Sequence, residues 1–239
     1  MPILTRDEAP VIETLSAFSS ALETRTPQAI LRWAVDTYGH ALTMATAFGA
    51  EGCALLAMLS EIPGGRKVRV FNLNTGYQFH ETLELRERIR DRYGIAVEFV
   101  RPVETVAELE ARHGGPLYSK NPDECCRLRK IVPLRQALFG YDAWISAIRR
   151  DQTPDRAQAR IVEWDKKFHL AKISPLANWT KRDVWNYILA NDVPYNPLHD
   201  QGYPSIGCWP CTLAVAHGEN ERAGRWASFA KTECGLHAR

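Results

Sequence analysis

Six cysteines fall into three groups: an adjacent pair, Cys125-Cys126; the motif Cys208-Trp209-Pro210-Cys211; and two isolated residues, Cys53 and Cys234. In a cytosolic protein, cysteines at such spacings point to metal, redox or nucleophilic chemistry before structural disulfides. The pair and the CxxC motif supply four thiolates, enough for a tetrahedral zinc ion or an iron–sulfur cluster. One zinc ion suits adjacent cysteines poorly. Their Cα atoms are about 3.8 Å apart, and both sulfurs would have to reach the same small ion. A cubane offers separate irons, so neighbouring cysteines can each take a corner. Iron–sulfur therefore ranks above zinc, and both rank above four unliganded buried thiols.

Cys234 stands apart, in Glu233-Cys234-Gly235-Leu236-His237 near the C-terminus, where little core packing explains a cysteine. Terminal segments are mobile unless tied down, and Lys231 and His237 lie close enough in sequence to help lower the thiol's pKa. Such a tail could close one nucleophile over a substrate, then swing open for a protein reductant. The plainer alternative is a spectator surface cysteine. Cys53, within Gly-Cys-Ala-Leu-Leu-Ala-Met-Leu, reads as a small buried hydrophobe. Basic groups lie near these motifs or at the ends of apolar segments: Arg127-Leu128-Arg129-Lys130, Arg149-Arg150, and Arg222 with Arg225. Taken singly, each could equally be a solvated helix face.

The elements that must position these residues show in the hydrophobic periodicity. Residues 1–40 read as a helical preamble. Strands are expected over 41–48, 67–73, 95–100, 141–148 and 168–176. Helices are expected after Gly49, over 78–94, 104–114, from about Lys130 to Phe139, and over 180–191 behind a Thr180 N-cap. This alternation predicts an α/β fold, a mostly parallel sheet flanked by helices. Ligands bind such sheets beyond the carboxyl ends of strands, so the loops after residues 47, 73 and 148 should converge. After Asn191 the chain becomes rich in Pro, Gly and aromatics, which excludes one regular element. A short helix is expected around 218–230. The expected divisions are a helical segment (1–40), a nucleotide-binding α/β domain with the cysteine-rich region (41–217) and a C-terminal segment carrying Cys234 (218–239).

The 239 residues are 45% hydrophobic and 24% charged, with a formal net charge of +2. That balance gives no sign of a nucleic-acid binder. No apolar run approaches the roughly 20 residues of a membrane span, and the N-terminus lacks a basic-then-apolar leader. A cytoplasmic protein with neither membrane nor nucleic-acid partner is expected, and periodicity leaves homo-oligomerisation open.

Several motifs occur in order: FGAEG (48–52), NTGYQFHET (74–82), CC with Lys130 nearby, WISAIRRDQT (144–153), PYNPLHDQGYPSIGCWPCT (194–212), GENERAGRW (218–226) and KTECGLH (231–237). Together they resemble the assimilatory sulfonucleotide reductases, specifically the iron–sulfur adenylyl-sulfate branch, from about residue 40 to 237. The resemblance implies an adenine-nucleotide alpha-hydrolase-like fold of the ATP-pyrophosphatase type. The TAFGAEG loop departs from the SGGxDS form of ATP-hydrolysing relatives, in keeping with a phosphosulfate substrate. The resemblance further implies one [4Fe-4S] cluster on Cys125, Cys126, Cys208 and Cys211, with Cys234 as the catalytic nucleophile. Substrate contacts are implied at Phe48, Gly49, Glu51, Asn74, Thr75, Gly76, Lys130, Arg222, Arg225 and His237, with Arg149 or Arg150 added. Cys234 would attack the sulfur of adenylyl sulfate, forming S-sulfocysteine and releasing AMP. Thioredoxin, or a similar dithiol protein, would then release sulfite. The alternatives are a reductase of the 3′-phosphorylated nucleotide, an ATP-dependent tRNA-thiolase-like enzyme and a zinc-stabilised binding module.

Overall fold

A computed structural model describes residues 8–216, 218–229, 231 and 233–236. The helical preamble is two helices, α1 (Glu8–Leu22) and α2 (Pro27–Tyr38). At the start of α2, the Thr26 hydroxyl accepts from the Ala29 N–H at 3.2 Å and Pro27 fills the first turn, where a missing N–H costs nothing. Strand β1 (Leu42–Ala45) leads into α3 (Ala50–Glu61), and β2 (Arg69–Leu73) precedes α4 (His80–Tyr93), which ends at Gly94 as expected. Next come β3 (Val97–Val100), α5 (Val106–His113), the short α6 (Leu117–Lys120) and α7 (Pro122–Cys126). A π turn, Arg127–Ile131, joins α7 to α8 (Val132–Leu138). Strand β4 (Ala143–Ile145), the hairpin β5 (Val162–Asp165) and β6 (Leu170–Ile173), and α9 (Lys181–Ala190) follow. Thr180 caps α9 with a full capping box to Asp183.

The six strands run in the order β3-β2-β1-β4-β6-β5, parallel except for the β5–β6 pair. Strand β5 was not among the expected strands. One face of the sheet carries the main core, centred on α3, whose residues from Ala50 to Ser60 are all buried but Glu51. The opposite face holds a smaller cluster of Phe71, Trp144 and Leu170 beneath Leu134, Ala137 and Leu138 of α8. Burying each large apolar side chain contributes about 2 kcal/mol, so both faces hold the sheet between helices. Chain order reverses between β1 and β4, the switch point where such sheets leave a crevice. The helix expected around 218–230 is not formed: residues 218–229 make successive turns instead. Among the described residues no helix is long and apolar enough to cross a membrane.

Candidate active site

A cavity of about 230 Å³ opens at the carboxyl ends of β1, β2 and β4. The three loops expected to converge do so: Thr46, Ala47 and Gly49 line it after β1, Leu73 and Thr75 after β2, and Ile148 and Gln152 after β4. The first turn of α3 faces it through Gly49, Ala50, Glu51 and Gly52. First-turn amides lack intrahelical acceptors and attract anionic or strongly dipolar groups. Phe48 adopts φ of +55° and is 1% exposed, so the turn sends its ring into the core and presents Gly49 to the cavity. Asn74 and Gly76 shape the next loop from outside the cavity: Asn74 Oδ1 accepts from the Gly76 N–H at 3.0 Å. Gly76 holds φ of +80°, and a Cβ there would stand 2.6 Å from Val106. Only glycine fits that turn.

Residues that sequence reasoning did not single out complete the inner wall. Asn72 donates from Nδ2 to the Thr46 carbonyl at 2.8 Å, while its buried Oδ1 has no partner among the described residues. The buried Ser146 hydroxyl also lacks one. His199 Nδ1 lies 2.8 Å from the Tyr203 carbonyl, so that nitrogen carries the hydrogen and Nε2 is left as an unpaired acceptor. Burial pushes the His199 pKa down, which favours the neutral ring. This wall can hydrogen-bond a polar, uncharged group such as a nucleoside. The signals available were weak: one Asn within an apolar strand, and one His within a Pro- and Gly-rich stretch.

The other end of the cavity holds Cys234, Lys130, Arg222 and Arg225. The π turn carries Lys130 there and turns Arg129 inward, where its Nε donates to the Thr75 carbonyl at 2.8 Å. Such turns recur at functional sites. Burial alone would raise the Cys234 pKa, but Lys130, the Leu236 N–H and Arg225 outweigh it and hold the thiol below its ordinary value. Burial likewise works against the Lys130 ammonium, and the sulfurs of Cys208, Cys234 and Cys126 overcome it, leaving its pKa raised. Among the described residues no carboxylate forms an ion pair with Lys130 or Arg225. The arrangement is a thiol beside two cations that favour its ionised form, suited to attack on an anionic electrophile.

The remaining basic residues are placed differently. Arg149 is 2% exposed and enclosed by carboxylates: Glu51 in a close ion pair, Asp151 at 2.8 Å and Glu221 at 3.5 Å. Arg150 turns toward α1, pairing with Glu23 at 2.5 Å and donating to the Ala159 carbonyl at 2.6 Å. Neither arginine lines the cavity. Arg156, not anticipated from the sequence, does line it. His237 lies outside the described residues.

Behind Lys130, the side chains of Cys125, Cys126, Cys208 and Cys211 border one small void, with Tyr77, Tyr118 and Trp226 around it. Backbone pairing brings the two cysteine segments together: Gln78 bridges Cys208, and the Trp209 N–H donates to the Tyr77 carbonyl at 2.8 Å. Thr75 Oγ1 accepts from the Tyr77 N–H at 3.2 Å and can give its own hydrogen to Cys208 Sγ, 3.2 Å away. Burial pushes the thiol pKa of Cys125 up to about 12 and that of Cys211 up to about 11, with Cys126 also raised. Among the described residues, no carboxylate or imidazole borders the void. Among the described residues, no three potential ligands are grouped to hold one metal ion. An all-sulfur donor set spread around a shared void fits a multi-iron cluster better than a single ion.

The model of the phosphoadenosine phosphosulfate reductase domain matches residues 41–214. The chain is 49% identical over 209 residues to adenosine 5′-phosphosulfate reductase 2 of Bacillus subtilis, covering 87% of this chain and 88% of that protein. It is 46% identical over 228 residues to phosphoadenosine 5′-phosphosulfate reductase of Gloeobacter violaceus, covering 94% of each. Among solved structures, phosphoadenylyl-sulfate reductase from Candida auris superposes with a TM-score of 0.74 at 32% identity, covering 89% of this chain and 100% of that one. FMN adenylyltransferase of Candida glabrata, with a TM-score of 0.59 at 14% identity over 90% of this chain and 68% of its own, shares the fold.

Proposed function

The chain belongs to the phosphoadenosine phosphosulfate reductase family, and from that premise we propose that it reduces adenylyl sulfate to sulfite and AMP in sulfate assimilation, with Cys234 as nucleophile. The observation that carries this reading is the placement of Cys234 beside Lys130 and Arg225, at the opposite end of the cavity from an inner wall of neutral hydrogen-bonding groups. The adenosine lies against Asn72, Ser146 and the first turn of α3. The phosphosulfate points toward the cations.

Cys234 Sγ attacks the sulfate sulfur in line with the bridging oxygen. The new S–S bond forms as the S–O bond breaks, and the electron pair leaves with AMP. Lys130 and Arg225 offset the charge on the oxyanions as that bond lengthens. A dithiol protein of the thioredoxin class then attacks Cys234 Sγ, expelling sulfite and forming a mixed disulfide. Its second thiol resolves that disulfide and restores the Cys234 thiolate. The dithiol supplies both electrons, so the adjacent pair and the CxxC pair need take no part in electron transfer. Cys125, Cys126, Cys208 and Cys211 would hold a [4Fe-4S] cluster, which would brace the loops carrying Thr75 and Lys130 and add its charge to the local field.

Anaerobic sulfite release from adenylyl sulfate and from its 3′-phosphorylated form, each with reduced thioredoxin, tests the reading while the visible spectrum is recorded. Brown protein turning over adenylyl sulfate faster is the expected result. The Gloeobacter relative's name favours the 3′-phosphorylated nucleotide as second reading; colourless protein preferring that nucleotide would replace the first.

A further inference from the structure

Residues 233–236 are docked by three contacts of different kinds. The Glu233 carboxylate accepts from Arg156 through two parallel bonds, Nε to Oε1 and Nη2 to Oε2, both 2.9 Å. Arg222 Nη2 adds a bond at 3.2 Å, and the Thr153 hydroxyl one at 3.4 Å. The Gly235 carbonyl accepts from Lys167 Nζ at 2.5 Å. Leu236 packs into the cluster of Phe71, Leu134, Leu138 and Trp144. Cys234 sits between the ionic contact and the other two.

The ionic contact lies at the cavity wall. Glu233 and Arg156 are both shielded, with side-chain exposures of 9% and 10%, and a bidentate fork fixes orientation as well as position. Arg156 is anchored in turn: its Nη1 donates to Gln152 Oε1 at 2.5 Å, and Gln152 Nε2 donates to Glu51 at 3.0 Å. Glu51 lies in the first turn of α3. A continuous polar chain thus runs from the proposed nucleotide loop through Gln152 and Arg156 to the residue preceding the nucleophile.

We infer that Glu233 is the positioning residue for Cys234: held by Arg156 and Arg222, it sets the tail so that the thiol stands over Lys130 and Arg225 before substrate arrives. The inference rests on Cys234 being the nucleophile of the proposed reaction. It assigns Arg156 and Arg222 a task in the empty enzyme, as the clamp on the tail, while Lys130 and Arg225 stay open to the incoming anion. A different role for the same contact is simple occupancy, in which the carboxylate fills the anion seat and must be expelled. The two roles predict opposite results.

The test follows iodoacetamide alkylation of Cys234 in the full-length protein, by peptide mass, from neutral to alkaline pH. Wild type, Glu233→Gln, Glu233→Asp, Arg156→Gln and the Arg156→Gln/Glu233→Gln double variant are compared. Positioning predicts that Glu233→Gln raises the pH midpoint by about one unit, because the released thiol loses Lys130. Removing a negative charge from beside an unmoved thiol would lower it. Glu233→Asp should recover part of the shift. The double variant should shift no further than Glu233→Gln alone, which already loses the carboxylate that Arg156, Arg222 and Thr153 hold, while Arg156→Gln alone keeps the Arg222 contact and should shift less. With adenylyl sulfate, kcat should fall by roughly tenfold with KM nearly unchanged, the signature of a misplaced nucleophile. A midpoint that stays or falls, additive single variants, or a lowered KM with kcat retained would each overturn the inference. If Glu233→Gln does not fold, Glu233→Asp carries the test through the same upward shift in smaller measure. Should wild type release no sulfite from adenylyl sulfate, the functional reading fails, while the substrate-free alkylation profile still judges the role of Glu233.

Discussion

Two groups of cations lie near the cavity, and they differ in what surrounds them. Arg149 is enclosed by Glu51, Asp151 and Glu221, and Arg150 pairs with Glu23 just after α1. Lys130 and Arg225 have sulfurs and an aromatic face for neighbours; the Arg225 guanidinium lies 4.5 Å from the Trp226 ring centroid. Charge already matched by carboxylates holds loops together. Charge without such partners remains available to a ligand. A basic residue in a sequence does not reveal which kind it is, because its partners come from elsewhere in the chain.

The sharpest test of this division is the group the open cations serve. Cys234→Ser should abolish formation of the S-sulfonate adduct, with a loss of about 10³-fold or more in sulfite release, read by intact mass and by product assay. Lys130→Met should cost about 10²-fold in kcat and shift the Cys234 alkylation profile upward. The sign follows from the geometry: the ammonium stabilises the thiolate, so removing it favours the protonated thiol and moves the midpoint to higher pH. At any pH below the midpoint, each unit of upward shift leaves roughly tenfold less thiolate. Arg149→Gln should instead act on folding, destabilising the protein by about 3 kcal/mol because three carboxylates lose their shared cation; thermal or urea unfolding measures it. Arg150→Gln should cost no more than about 1 kcal/mol, since its partner is partly solvated, and leave sulfite release within about twofold of wild type. A large kinetic effect at Arg150, or none at Lys130, would break the comparison.

What the sequence disclosed follows the same line. Five of the six strands and the convergence of three loops were legible because apolar periodicity reports burial. Strand β5, Val162–Asp165, is a short edge strand in which Val162 and Trp164 alternate with two acids, a pattern too brief to stand out. Residues 218–229 contain good helix formers, yet tertiary contacts override that preference: Arg225 bridges Thr212, the Trp226 N–H reaches the Cys211 carbonyl at 3.1 Å, and Trp226 holds φ of +50°. At the site, the cysteine spacings showed what chemistry was available. The destinations of Arg149, Arg150 and Arg156 were hidden because, Asp151 apart, their carboxylates lie at Glu51, Glu221, Glu23 and Glu233, from 72 to 127 residues away.

The π turn between α7 and α8 has an evolutionary consequence. A π turn amounts to one residue more than a regular helix requires, and each residue of an α-helix turns the chain by about 100°. Losing one codon within 127–131 would restore an unbroken helix. The apolar residues of α8 could stay seated on the sheet while Cys125 and Cys126 rotated more than a quarter turn away from Cys208 and Cys211. A lineage could thus part its two cysteine pairs through one in-frame deletion and keep the fold whole, and an insertion at the same place would be a route back.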